Sequence, residues 1–174
     1  MKTLDDYVIS IPDFPKPGII FRDVTGVIQD PDGLRMAIDT MQDKVKDIEY
    51  DVVAGAESRG FIFGAPIAYN KQKSFVLIRK EGKLPRETVK QSYELEYGSA
   101  TIEMHKDAIK PGQKVIIIDD LIATGGTIEA SAKLIEEVGG VVTKLLFLIE
   151  LTDLGGRNKL SKYDVSSVLS YSGE

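Results

Sequence analysis

Asp119 and Asp120 stand together behind a β-branched run, Val115-Ile116-Ile117-Ile118, and ahead of a small-residue loop, Ala123-Thr124-Gly125-Gly126-Thr127. A run of that kind forms a strand buried on both faces. The acids should sit where it emerges, and a helical pattern follows the loop from Ile128 onward. Missing Cβ atoms let backbone N–H groups close on an anion, and a helix N-terminus adds favourable partial charge. Thr124 and Thr127 add hydroxyl donors. Ionised carboxylates only accept hydrogen bonds and would repel a phosphate, so they need another neighbour, a vicinal diol or a metal ion. A sugar phosphate meets both needs at once. The stretch lacks the Gly-Lys-Ser/Thr of a Walker loop and does not match the dinucleotide fingerprint Gly-x-Gly-x-x-Gly. The competing reading is an ordinary strand, turn and helix whose glycines serve the turn alone.

Two further stretches carry anion chemistry. Asp51-Val52-Val53-Ala54-Gly55 reads as a short strand, and Phe61 to Tyr69 as an apolar helix. Between them Glu57-Ser58-Arg59-Gly60 forms a second cradle in which Arg59 neutralises a phosphate. In isolation Arg59 fits a surface turn equally well. After a strand from Ser74 to Ile78, the loop Arg79 to Arg86 carries four cations in eight residues: Arg79, Lys80, Lys83 and Arg86. Such a run is commonly a solvated turn. Beside two anion cradles it becomes a clamp for a polyanionic leaving group.

The elements that must position these residues alternate. Asp30 and Pro31 cap a helix with Leu34, Ala37, Ile38, Met41 and Val45 at helical spacing. Gln91 to Tyr97 and Ser99 to His105 flank Gly98 as a hairpin or flap. A helix after Thr127 ends at Gly139-Gly140. Val141 to Ile149 and Val165 to Tyr171 are strands, with Gly155 to Asn158 a polar turn. The expected fold class is therefore α/β, a doubly wound, mostly parallel sheet in one domain spanning 1–174. An N-terminal hood covers about 1–30 and the flap about 80–105. Ahead of the sheet, Asp5 to Ile11 reads as a short helix or extended arm. In Ile11 to Asp23 three prolines and a glycine exclude regular structure. Phe14, Ile19, Ile20 and Phe21 there still need burial, so an irregular segment laid over the core is expected. It would present Phe21 as a platform for an aromatic base.

Composition narrows the function classes. The chain has 174 residues, 43% apolar, with net charge −5. That suits one globular domain with a real core. No basic block favours nucleic acid as a partner. The absence of cysteine excludes disulfides and thiolate chemistry and fits a cytoplasmic place. No apolar run approaches the ~20 residues of a membrane span, and Met1 to Asp6 lacks a signal-peptide core. His105, the only histidine, has no acid–base partner near in sequence and reads as structural.

Val115 to Thr127 closely resembles the phosphoribosyl pyrophosphate signature of the type I phosphoribosyltransferases. The order Pro-Asp-Phe-Pro-x-Pro-Gly-Ile-Ile-Phe-Arg-Asp, the loop Arg-Lys-x-Gly-Lys-Leu-Pro and the stretch Ser-Tyr-x-Leu-Glu-Tyr-Gly resemble the adenine-specific branch. The resemblance covers nearly the whole chain. It implies transfer of a 5-phosphoribosyl group from 5-phosphoribosyl 1-pyrophosphate to adenine, giving AMP and pyrophosphate. It implies that Asp119 and Asp120 hold the ribose and that Ala123, Thr124, Gly125, Gly126 and Thr127 hold the 5-phosphate. Ser58, Arg59, Arg79, Lys80 and Lys83 would bind pyrophosphate, with Glu57-Ser58 as a cis peptide. Ile20, Phe21 and Arg22 would line the adenine site, and Glu96 and Tyr97 form the catalytic pair. Mg2+ is expected, held through substrate and water with no direct protein ligand. A homodimer is expected too, with Arg79 a cross-subunit contact. Two alternatives remain at this point: an enzyme for another purine such as xanthine, and a non-catalytic sensor of phosphoribosyl pyrophosphate.

Overall fold

The computed structural model describes residues 2–95 and 97–172. A 3-10 turn, Leu4–Tyr7, leads into β1 (Ile9–Pro12), which pairs antiparallel with β2 (Ile20–Asp23), setting Ile11 opposite Phe21. The segment expected to be irregular is thus a small ribbon. Its prolines do not oppose this, because Pro12 ends β1 and Pro15 and Pro17 lie in the connecting loop. A two-stranded ribbon has no central strand whose ladder a proline would interrupt. A short α1 (Thr25–Gln29), which no sequence signal announced, precedes α2 (Pro31–Asp43). Asp30 caps α2 as expected, its carboxylate accepting from Asp32 N–H at 2.8 Å and Gly33 N–H at 3.1 Å.

The remaining elements alternate around one sheet: β3 (Val52–Ala56), α3 (Arg59–Asn70), β4 (Ser74–Lys80), β5 (Thr88–Glu94), β6 (Ser99–His105), β7 (Lys114–Ile122), α4 (Gly126–Glu137), β8 (Val141–Leu151), α5 (Gly156–Lys159) and β9 (Val165–Tyr171). The strand order is β5-β6-β4-β3-β7-β8-β9. The five strands from β4 to β9 are parallel, and β6 and β5 add an antiparallel hairpin at one edge. This is the α/β, mostly parallel sheet that the alternation predicted.

β7 is the middle one of the five parallel strands because it can be buried on both faces. Ile116 and Ile118 point into a core shared with α2, α3 and the hood, among Met41, Phe63 and Leu148. Val115 and Ile117 point the other way, into a core shared with α4, among Leu134, Ile135 and Phe147. The period-2 alternation of a strand therefore divides one apolar run between two cores.

Three boundaries differ from the sequence reading. β7 continues past the acids to Ile122, pairing Asp119 with Phe147 and Ile122 with Glu150, because β8 is long enough to hydrogen-bond that far. β4 continues through Arg79 and Lys80, which oppose Glu103 and Ile102 of β6, so these cations start on a strand end and not in a loop. The stretch Gly155 to Asn158, expected as a polar turn, is the cap and first turn of α5, which follows a 3-10 turn at Thr152–Leu154.

Candidate active site

The sugar-phosphate stretch and the Arg59 cradle face each other across one cleft at the C-terminal ends of β3 and β7. It is lined by Glu57, Ser58 and Arg59 on one side and by Asp119 through Ile128 on the other. Gly125 adopts φ +83 ahead of α4, a left-handed conformation that turns the chain from strand into helix. The first turn of a helix leaves its N–H groups without intrahelical acceptors. Here those groups border the cleft, at the place where the sequence suggested an anion cradle. Across from it, Gly60 explains how α3 comes so close. A Cβ there would stand 2.7 Å from Ile118 O and 3.0 Å from Asp119 Oδ1. The Glu57–Ser58 peptide is cis.

The two acids have different environments. Asp120 is buried, 5% exposed, and receives Arg59 Nε at 2.5 Å. Asp120, through that hydrogen bond, holds Arg59 more firmly in its charged form, against the effect of burial. Among the described residues Asp119 has no such partner. Burial first, and then the charge of Asp120, push the Asp119 carboxyl well above the usual carboxylate range. The Asp120 N–H, 2.8 Å from Asp119 Oδ1, opposes this without cancelling it. Both acids line the cleft, Asp120 with one oxygen committed to Arg59, and carboxylate oxygens are the acceptors a diol needs.

The basic cluster is organised by a residue that the sequence reading left without a role. Glu57 accepts from Lys83 Nζ at 2.6 Å and from Lys80 N–H at 2.9 Å. Arg79 lies against the same carboxylate, with Nη2 3.4 Å from Oε1. Burial pushes Glu57 upward, but these hydrogen bonds outweigh it and hold the carboxyl at about 2. Arg79 Nε is buried with no hydrogen-bond partner among the described residues, although it stands 3.4 Å from Glu57 Oε2. A buried N–H of that kind is a donor waiting for an acceptor. Arg79 and Lys83 thus meet beside Ser58 and Arg59, while the Lys80 side chain is exposed.

The hood forms a second, more apolar cleft that joins the first. Phe14, Ile20, Phe21 and Arg22 line it, with Leu121 and Leu151 from the sheet; Arg59 and Asp120 belong to both clefts. The apolar hood residues expected to be buried remain open to it: Phe14 is 50%, Ile20 42% and Phe21 39% exposed. Phe14 and Phe21 meet edge to face at 5.3 Å. The Arg22 side chain is held elsewhere, with Nη1 2.5 Å from Ser10 Oγ and its guanidinium 4.3 Å from the Tyr171 ring centre. Leu121 and Leu151 joined the site through sheet position, which no local motif signals.

The flap hairpin is present as β5 and β6, with Gly98 at φ +85 in its turn. Tyr97 stands on it 87% exposed, away from both clefts. Glu96 lies outside the described residues.

The comparisons agree with one another. The family model described as phosphoribosyl transferase domain matches residues 27–171. An adenine phosphoribosyltransferase from Agathobacter rectalis is 64% identical over 174 residues, all of both chains. Another from Lachnoclostridium phytofermentans is 65% identical over the same length, again all of both chains. Among solved structures, adenine phosphoribosyltransferase from Thermoanaerobacter pseudethanolicus superimposes with a TM-score of 0.92 at 49% identity, covering 97% of this chain and 100% of that one. The Saccharomyces cerevisiae enzyme, solved with adenine and an imino-altritol bisphosphate, gives 0.88 at 38% identity, covering 95% and 96%.

Proposed function

The chain belongs to the adenine phosphoribosyltransferases, and on that premise we propose which of its residues carry each part of the reaction. It is a transferase of purine salvage, moving the 5-phosphoribosyl group from 5-phosphoribosyl 1-pyrophosphate to adenine and giving AMP and pyrophosphate. The observation that supports the assignment of residues is the junction of the two clefts at Arg59 and Asp120. An anion cradle on one side and an aromatic cleft on the other meet where a ribose would lie between them.

In the reaction N9 of adenine attacks C1 of the ribose. The C1–O bond breaks with its electron pair leaving on pyrophosphate, and the N9 proton must be taken up. We assign the 5-phosphate to Ala123 through Thr127 and the ribose hydroxyls to Asp119 and Asp120. Negative charge beneath the ring also favours the positive charge that develops at C1. Ser58, Arg59, Arg79, Lys80 and Lys83 receive pyrophosphate. The unpartnered Arg79 Nε–H supports that role. Ile20, Phe21 and Arg22 hold adenine, Arg22 through its main chain. Glu96 takes the proton with Tyr97 beside it, which requires the flap to carry Tyr97 toward the clefts.

Discrimination among purines follows from hydrogen-bond polarity at the 6-position. An oxopurine wants a cation there. The nearest hood cation, Arg22, is engaged by Ser10 and Tyr171 instead, which favours adenine over xanthine.

Magnesium fits the donor set as a substrate-borne ion. Among the described residues no group of three or more His, Asp or Glu side chains could hold one directly. Asp119 is the carboxylate not engaged by a cation, and hard oxygen donors suit this metal. Bound through pyrophosphate oxygens and water, it would neutralise leaving-group charge.

We place the enzyme in the cytoplasm, where charged phosphorylated substrates are retained, and as a homodimer. Ile62, Tyr69 and Leu77 are exposed apolar side chains on α3 and β4, and Arg79 follows Leu77 two residues on. A dimer through that face would put Arg79 at the partner's edge. Sedimentation of Tyr69→Glu against the parent protein tests this, and an unchanged mass refutes it.

The decisive experiment is a base panel: magnesium and phosphoribosyl pyrophosphate with adenine, hypoxanthine, guanine or xanthine, followed by nucleotide and pyrophosphate. AMP formation with adenine alone is expected. Turnover of an oxopurine would leave the phosphate cradle standing and sink the hood assignment. Tight phosphoribosyl pyrophosphate binding without turnover of any base would favour a sensor.

A further inference from the structure

Tyr93 lies on β5 beside the flap turn, on the strand face that is partly buried while its neighbours Ser92 and Glu94 are exposed. Its ring stands over the first turn of α4, 3.4 Å from where a Cβ on Gly126 would be. Its hydroxyl is 3.0 Å from Thr127 Oγ1. The ring also packs against the core on the α4 side of the sheet. A flap residue outside the sugar-phosphate signature thus touches a hydroxyl of the phosphate cradle.

We propose that Tyr93 is a positioning residue for the 5-phosphate, acting through Thr127; this rests on the reading of Ala123 to Thr127 as the phosphate cradle. Each hydroxyl has one proton to give and lone pairs to receive. A phosphate oxygen only accepts, so Thr127 must point its proton at the phosphate. In this structure Thr127 donates to the Tyr93 hydroxyl; with phosphate bound the link reverses, Tyr93 O–H donating to Thr127 Oγ1. That direction fixes the threonine rotamer and polarises its O–H toward the anion. Without Tyr93 the hydroxyl is free to turn back to its own helix, since threonine in a helix divides between two rotamers. No other side chain can substitute from the same strand. Ser92 pairs with Thr101 at 2.8 Å on the opposite face, and Gln91 is one step further from the turn.

The test is steady-state kinetics of Tyr93→Phe, made in the parent protein and in Thr127→Ser and Thr127→Val backgrounds. Phenylalanine keeps the ring and its packing, and thermal midpoints report whether folding is intact. The expected result is a rise in KM for phosphoribosyl pyrophosphate of about threefold to tenfold, the value of one lost hydrogen bond. It should appear in the parent and in Thr127→Ser, with KM for adenine unchanged. No further rise should appear in Thr127→Val. A Tyr93→Phe effect of equal size in Thr127→Val would overturn the proposal and leave the cradle standing. So would an unchanged KM in Tyr93→Phe together with a raised KM in Thr127→Val. An unchanged KM in Thr127→Val would overturn the cradle reading and the role of Tyr93 with it.

Discussion

Glu57 Oε1 lies 2.6 Å from Lys83 Nζ, and this carboxylate is the hub on which the Arg79 and Lys83 side chains and the Lys80 N–H converge. A negative group beside a pyrophosphate site opposes binding by simple charge. Its value lies in order: it holds flexible cations where the leaving group will arrive, before substrate does.

Glu57 should leave a pH signature. Its folded pKa of about 2 is below the ordinary 4.5, so between those values the unfolded chain binds more protons. The stability it contributes is complete above the ordinary value and is lost as pH falls toward 2. Glu57→Gln should therefore be destabilised near neutral pH by about 1–3 kcal/mol. The gap to the parent should close on acidification. Urea unfolding across that range measures it, and a pH-independent gap would contradict the ion cluster.

Arg59→Ala should cost stability as well as substrate affinity. It leaves the buried carboxylate of Asp120 without its partner, a loss of about 1–3 kcal/mol for a half-exposed pair. Adding Asp120→Asn should recover much of the stability while activity stays low. If the double variant unfolds as easily as the single one, the pair is not what holds this corner.

Phe21→Ala should separate the two substrates. The side chain is 39% exposed, so its loss should move the unfolding midpoint little. Losing a ring that stacks on the base should raise KM for adenine about tenfold or more, in line with base–aromatic contacts elsewhere. KM for phosphoribosyl pyrophosphate should hold. A fall in stability without a change in adenine KM would return Phe21 to a packing role.

Glu96→Gln should lower kcat about a hundredfold or more with modest change in either KM, the pattern of a group acting on a proton in the transition state. Rapid-mix and steady-state measurements separate the steps. A raised KM at unchanged kcat would make Glu96 a binding residue.

The central part of the site was legible because its signals are local. The β-branched run, the acids and the glycine loop lie within the unbroken stretch Val115 to Thr127, and each has a backbone reason to be there. The sheet class followed from alternation in the same way. Glu57 as a hub was not legible, since its partners at Lys80 and Lys83 reach it only through the pairing of β3 with β4. The same holds for Tyr93 and Thr127, which come from an edge hairpin and a central loop. The hood was misread in one respect. Proline content pointed to irregular chain, but what decides pairing is whether a proline occupies a position whose N–H is needed. Phe14 was expected inside and is open to a cleft instead, while Phe21, expected to be presented to a base, lines that same cleft. Local pattern reports that an apolar side chain wants cover and is silent on whether the protein or a ligand supplies it.

The division of β7 between two cores also limits how this chain can change its length. Inserting or deleting one residue within Val115 to Ile118 would send side chains of each core to the wrong face. It would also exchange the sides on which Asp119 and Asp120 emerge. Architecture and chemistry share one reading frame here, so a length change that damaged only one of them is not available, and variation must come by substitution.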